Sequence, residues 1–240
     1  MKVVLLVGGK GARLNTLLPK PLVKIGGISL IEHIMNLYYF FGYDEFILAT
    51  GHRHDEFEKH FYSTDLPYSV KLINTGENTN TGERIKRIEP YVKDEIFCLN
   101  YGDGLSDVNL KDIEEKFCLD KTCPDLLLVA VRSPERYGFV DLEKTLNRTS
   151  KILSFYEKPK RIDWINGGFM VCSPRIFRYI EKDDIFEQNT IPRIIKKQKA
   201  LAYKYKGNWI SIDTQKDLNA VTNLWDKNKA FWINNKDNNE

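Results

Sequence analysis

The chain has 240 residues, 42% of them hydrophobic, enough to bury a full core in one α/β domain. Its 36 lysines and arginines against 33 acids leave a net charge of +3, too mild to argue for a nucleic-acid partner or an anionic membrane. No apolar run reaches membrane-spanning length, and the start reads as a strand rather than a signal peptide, so the expected location is the cytoplasm.

Residues 3–7, Val-Val-Leu-Leu-Val, read as a strand buried on both faces. Gly8, Gly9 and Gly11 follow at once, with Lys10, Arg13 and Lys20 close behind. Glycines let backbone N–H groups approach a ligand, and with cations nearby the loop makes a seat for a polyphosphate. It is not a P-loop, because no Gly-Lys-Ser/Thr closes it, and Leu14 stands where a dinucleotide fingerprint has its third glycine. Taken alone, a glycine-rich turn leaving a core strand stays open as a reading.

Residues 30–38 have helical spacing, residues 45–50 form a second strand ended by Gly51, and residues 55–61 form the next helix. His52, His54 and His60 fall among cations and acids, which reads as a solvated helix face rather than a metal site. A third strand over 68–73 leads into a turn-rich polar run, 74–82, and a helix starting near Glu83. Strand and helix in alternation predict a largely parallel sheet, with ligands beyond the carboxyl ends of its strands. The first loop and the 75–82 loop share that edge.

Residues 95–101 form the next buried strand and end in Gly102-Asp103-Gly104. A carboxylate there suits a metal, and an Asp-Gly turn is the alternative. Asn109, with Asp112 three residues on, caps a helix through Phe117. Beyond it, strand-like runs at 126–131, 136–141, 152–160 and 165–171 follow without crossover helices, which predicts a mixed or antiparallel lid. Ser173-Pro174 opens a helix, residues 189–197 form another, residues 200–205 return to strand, and residues 209–214 are a strand ending in Asp213-Thr214. Thr214 with Asp217 caps a last helix. Cys98 and Cys172 lie in apolar runs as core residues, Cys118 and Cys123 flank a helix end, and no paired spacing marks a metal or disulfide framework.

Gly-Gly-x-Gly-x-Arg-Leu over 8–14, with Pro19-Lys20-Pro21-Leu22, resembles the N-terminal motif of the sugar-1-phosphate nucleotidyltransferases. The ordered set Thr81-Gly82-Glu83-Arg84, Tyr101-Gly102-Asp103-Gly104, Glu157-Lys158-Pro159-Lys160, Asn166-Gly167-Gly168, Phe186-Glu187-Gln188 and Trp209…Asp213-Thr214, with Trp225 and Trp232 at the end, is similar to the glucose-1-phosphate cytidylyltransferase branch. Three departures stand out: fewer residues separate Arg13-Leu14 from Pro19 than the family shows, Glu83 replaces a frequent glycine, and the chain between Phe61 and Thr75 is shorter than in that branch.

The resemblance implies a Rossmann-like nucleotidyltransferase fold: a mixed, mostly parallel sheet flanked by helices, with a small antiparallel sugar-binding lid. It implies one domain over 1–240, with a nucleotide-binding half (1–120), a sugar-phosphate-binding half (121–232) and a frayed tail (233–240). The implied reaction joins a nucleoside triphosphate, CTP favoured, to a sugar 1-phosphate, giving a nucleotide sugar and pyrophosphate in a homo-oligomer with Mg²⁺. Another base or sugar is one alternative, and a nucleotide-sugar-binding regulator without turnover is another.

In the resemblance, Arg13, Lys20, Asp103, Lys158 and Asp213 are the catalytic set. Asp103 and Asp213 hold the metal, Arg13 and Lys20 steady the pyrophosphate side, and Lys158 takes the sugar phosphate. Val7, Gly8, Gly9, Gly11, Thr81, Gly82, Arg84 and Gly102 contact nucleotide, with Arg84 at the phosphates. Tyr137, Gly138, Glu157, Asn166 and Gly167 contact the sugar. The residues themselves leave other readings open: Lys158 as a surface cation, Asn166 as a turn, and Asp213 as the residue before a helix cap. A phosphate monoester is largely ionised near neutral pH, so this chemistry needs no general base and its obstacle is repulsion between two anions.

Overall fold

A computed structural model describes residues 1–11, 14, 16, 18–132, 139–144, 149–156 and 163–233. In chain order the elements are β1 (Val3–Leu6), β2 (Lys24–Ile25), β3 (Ile28–Ser29), α1 (Leu30–Phe40), β4 (Glu45–Thr50), α2 (His54–Tyr62), β5 (Ser69–Asn74) and α3 (Thr81–Val92). Next come β6 (Phe97–Tyr101), β7 (Gly104–Ser106), α4 (Leu110–Leu119), β8 (Leu126–Val131), β9 (Phe139–Leu142), β10 (Ile152–Tyr156) and β11 (Ile165–Cys172). The chain continues through α5 (Ile191–Lys196), β12 (Ala200–Lys204), β13 (Trp209–Ser211) and α6 (Gln215–Asp226).

A seven-stranded sheet in the order β12-β8-β11-β6-β1-β4-β5 forms the centre. Its neighbours pair in parallel except where β11 lies antiparallel between β6 and β8. Side chains alternate across a strand, so Val3 and Leu5 of β1 face one cluster with Ile31 and Met35 of α1. Val4 faces the other, with Ile85 and Ile88 of α3. All three β1 residues are fully buried, as a strand apolar on both faces requires.

The mixed, mostly parallel sheet agrees with the expectation, but the second half differs in detail. Strands β8 and β11, expected in a lid, join the main sheet, and β12, expected as a strand, pairs with β8 at its edge. Leu-Leu-Leu-Val-Ala-Val and the end of β11 lack alternation, and such segments bury both faces. A separate antiparallel pair consists of β9 and β10. The helix expected over 189–197 is a π-helical turn at Phe186–Thr190 running into the short α5. Asn109 accepts from the Asp112 N–H at the start of α4, and Thr214 and Asp217 form a reciprocal capping box on α6. Among the described residues no helix is long and apolar enough to cross a membrane.

His52, before α2, pairs with Glu77, and His54 and His60 of α2 pair with Thr50 and, at 3.0 Å, with Glu32. Glu32 also caps α1 through Ser29, so one carboxylate ties α1 to α2. Burial pushes its carboxyl up, but hydrogen bonds from His60 and Ser29 outweigh that and bring it down to about 2. A lowered carboxyl contributes stability that is complete above its ordinary value of 4.5 and disappears as the pH falls toward 2. Glu32→Gln should therefore cost roughly 2–3 kcal/mol in urea unfolding at pH 7, the gap to wild type closing between pH 4.5 and 2. A gap constant with pH would contradict the assignment.

Candidate functional site

Strands β1, β4, β5 and β6 run in parallel, so the segments leaving them meet at one sheet edge. Because β11 runs the other way, its first residues reach the same edge: Ile165 pairs with Val131 at the end of β8. A cavity of about 480 Å³ opens there, lined among others by Val7, Gly8, Gly9, Gly11, Lys20 and Asp103. Thr81 and Arg84 of α3, Gly102, Tyr101 and Glu187 complete the walls that matter below.

The two acids are brought together by a small antiparallel pairing. Ser211 of β13 lies opposite Gly104 of β7, and the Ile212 N–H donates to the Asp103 carbonyl at 3.0 Å. Asp103 thus precedes β7 where Asp213 follows β13. Lys20, on a 3₁₀ turn (Lys20–Leu22) between Pro19 and Pro21, places its Nζ 2.9 Å from Asp103 Oδ2 and 2.9 Å from Asp213 Oδ1. The Lys20 side chain is 11% exposed, so this double ion pair is poorly screened. The expected place for Lys20 was on phosphate. The fold sets it between the two carboxylates, whose mutual repulsion its charge offsets. Gly102 allows the approach: a Cβ there would lie 2.7 Å from Val7 Cγ1.

Arg84, expected at the phosphates, lines the cavity, and its guanidinium is engaged by the loops around it. It is 4% exposed, and its guanidinium donates to the carbonyls of Thr50 at 2.6 Å, Thr79 at 3.0 Å, and Gly8 and Gly76 at 3.2 Å, and to the Thr75 hydroxyl. These groups belong to three segments leaving β1, β4 and β5. Burial, then repulsion from Arg87, lowers it to about 10, which still leaves it charged at neutral pH. A Cβ on Gly8 would overlap this guanidinium and lie 2.8 Å from the Thr50 backbone carbon, so the first glycine of the loop makes room for Arg84. Glu83, the departure beside it, accepts from Arg87 Nε at 3.1 Å.

Glu187, quoted in a motif run but given no role from sequence, lines the cavity. Its carboxylate accepts from the Thr81 hydroxyl at 2.8 Å and from the Tyr101 phenol. Burial, then Glu187, pushes that phenol far up, while the Asn166 side chain opposes the shift. These partners lie 86 and 106 residues away from Glu187 in the chain, and no local pattern announces them. Thr81 also accepts the Phe186 N–H, and the Gly82 N–H donates to the Asp184 carbonyl, so the start of α3 is fixed to the π-helical turn. π-helical turns are frequent at functional sites.

At the start of β11, Asn166 Oδ1 accepts from the Gly168 N–H at 2.9 Å, and the Gly167 carbonyl accepts from Trp209 Nε1 at 2.8 Å. Arg13, Tyr137, Gly138, Glu157 and Lys158 lie outside the described residues. The Asp103–Asp213 pair offers hard oxygen donors already converging on one cation, which suits Mg²⁺, an ion commonly held by one or two carboxylates plus substrate phosphates.

Several known proteins are similar to this chain over nearly its whole length. The model of the nucleotidyl transferase family matches residues 2–228. The glucose-1-phosphate cytidylyltransferase of Salmonella typhimurium is 33% identical, covering 97% of this chain and 98% of that protein. The probable glucose-1-phosphate cytidylyltransferase of Bacillus subtilis is 30% identical, covering 97% and 99%. The solved structure of HddC from Yersinia pseudotuberculosis, complexed with GMP-PN, superposes with a TM-score of 0.70 at 26% identity over 93% of this chain and 99% of that one.

The Arg84 network predicts that Arg84→Lys loses the forked donors, leaves buried carbonyls unpaired, and destabilises the chain by about 2–3 kcal/mol in denaturant unfolding. An unchanged midpoint would show that the guanidinium is not what joins the three loops.

Proposed function

The chain belongs to the nucleotidyl transferase family, and we propose that it transfers the cytidylyl group of CTP to a sugar 1-phosphate, with glucose 1-phosphate as acceptor. The products are a CDP-sugar and pyrophosphate. The observation that carries the reading is the convergence of Lys20, Asp103 and Asp213 on the wall of a cavity whose other side is the glycine loop. CTP and glucose 1-phosphate are favoured by the two relatives matching over 97% of the chain.

A phosphate oxygen of the sugar 1-phosphate attacks the α-phosphorus in line. The bond from that phosphorus to the bridging oxygen breaks, and its electron pair leaves with pyrophosphate. The attacking oxygen carries its own negative charge near neutral pH, so no side chain has to remove a proton. Positioning and charge neutralisation remain. Asp103 and Asp213 would hold Mg²⁺, which when bound supplies positive charge against the phosphate oxygens. The Lys20 ammonium, beside both acids on the cavity wall, would place its charge toward the phosphates, and Arg13 and Lys158 would add charge on the pyrophosphate and sugar-phosphate sides. Gly8, Gly9 and Gly11 bring backbone N–H groups to the nucleotide, and Val7, Thr81 and Gly102 line its place, while Gly82 packs against Asp184 behind the wall.

Arg84 acts through the loops it holds, not on the reacting atoms. Glu187 repels phosphate but accepts well from hydroxyls, so the Glu187–Tyr101–Thr81 group faces the uncharged part of the substrates. Tyr137, Gly138, Glu157, Asn166 and Gly167 receive the sugar.

The test is a screen of CTP, UTP, dTTP, GTP and ATP against glucose 1-phosphate, with pyrophosphate release as the readout. GTP belongs in the panel because the HddC structure holds GMP-PN. CTP should turn over best. EDTA should stop the reaction and Mg²⁺ restore it, and Asp103→Asn should lower kcat by about 10²–10³-fold. Tight nucleotide binding without product for any pair would instead identify a binding protein that does not turn over.

A further inference from the structure

Lys20 meets the two acids at the atoms a metal ion would use. Its Nζ lies 2.9 Å from both Asp103 Oδ2 and Asp213 Oδ1, and the Ser211 hydroxyl donates to the other Asp213 oxygen, Oδ2, at 3.2 Å. Mg²⁺ binds carboxylate oxygens at about 2.0–2.1 Å. An ion on either oxygen that Lys20 engages would therefore stand within about 5 Å of Nζ. Positive centres that close repel strongly where solvent screens poorly, and the Lys20 side chain is only 11% exposed. The ammonium and a divalent ion are thus competitors for one pair of carboxylates.

Lys20 also stands where an incoming polyphosphate acts on it. Its turn is closed by the Leu22 N–H on the Pro19 carbonyl at 2.8 Å and the Val23 N–H on the Lys20 carbonyl at 3.2 Å. The backbone is fixed, and movement of the ammonium falls to its flexible four-carbon stem. That stem passes beside the glycine loop: a Cβ on Gly11, whose φ is 54°, would lie 3.1 Å from Lys20 Cβ. Lys20 lines one cavity with Gly8, Gly9 and Gly11. An anion received by the loop therefore meets the same ammonium that the carboxylates hold.

We propose that Lys20 keeps the metal site closed until a polyphosphate arrives. Without nucleotide, its ammonium neutralises Asp103 and Asp213, and a divalent cation alone binds weakly. With nucleotide, the phosphates give the ammonium other acceptors and offer oxygens to the ion, so cation and nucleotide enter together. By linkage, each raises the affinity of the other by the same factor. This inference rests on the transferase reading for the identity of the polyphosphate and adds an order of assembly to it. The exchange at the acids itself needs only the three side chains.

The test is titration of the full chain with Mn²⁺ in the absence of nucleotide, the free ion being followed by electron paramagnetic resonance. Wild type should bind weakly, and Lys20→Met should bind about tenfold more tightly or better. Lys20→Arg keeps the charge and should stay as weak as wild type. The binding gained in Lys20→Met should vanish when Asp103→Asn is added, with circular dichroism confirming that each variant is folded. With a non-hydrolysable CTP analogue present, wild type should tighten about 10²-fold or more, and Lys20→Met by a factor about tenfold smaller. A folded Lys20→Met that binds Mn²⁺ no better than wild type would overturn the proposal and leave Lys20 a spacer between the acids. Tight binding of Mn²⁺ alone by wild type would overturn it too, as would an ion in Lys20→Met that survives Asp103→Asn. A chain that shows the Lys20→Met gain but turns over no nucleotide with a sugar phosphate would overturn the transferase reading and leave the closed site standing.

Discussion

The Lys20 ammonium between Asp103 and Asp213 is the contact on which the rest of the site depends. Two carboxylates from residues 110 positions apart in sequence would repel each other at a partly buried edge, and a fixed cation between them turns that repulsion into attraction. The local structure serves this meeting. Pairing of β7 with β13 sets the two acids side by side, Gly102 lets the chain pass close to Val7, and Pro19 and Pro21 confine the turn that carries Lys20. Such a centre is prepared for polyanionic chemistry, because a site that gathers opposite charges at short range can exchange one cation for another without rebuilding the fold.

Arg84 supplies the second constraint. A buried guanidinium bonded to four carbonyls and a hydroxyl holds the segments leaving β1, β4 and β5 in one arrangement. None of those partners is a carboxylate, so its charge stays directed toward the cavity it lines. The glycine loop is therefore shaped from behind by a cation. This also explains why Gly8 must be glycine, a requirement that a phosphate-binding argument alone would assign to ligand approach.

How far the sequence reading reached depended on whether a feature is local. Strand β1, the helix caps at Asn109 and Thr214, and the parallel character of the first half follow from neighbouring residues and periodicity, and they were legible. The membership of β8 and β11 in the main sheet was not, since an apolar run looks the same in a lid as in a sheet centre. The part of Arg84 in joining the loops was not legible for a similar reason: a cation beside a glycine-rich turn reads as a phosphate ligand unless the acceptors at Thr50 and Gly8, 34 and 76 residues away, are known. Glu187 owes its place to a π-helical turn, and no sequence signal distinguishes that turn from an ordinary helix start. Arg13 and Lys158 rest on the family resemblance, because they lie outside the described residues.

The most direct measurement of the central claim is Mn²⁺ binding followed by electron paramagnetic resonance, with a non-hydrolysable CTP analogue present. One tightly held ion per chain is expected in the wild type, with that ion lost in Asp103→Asn and lost equally in Asp213→Asn. An ion that survives either single substitution would mean that the two carboxylates do not share it, and the account of the site would fail.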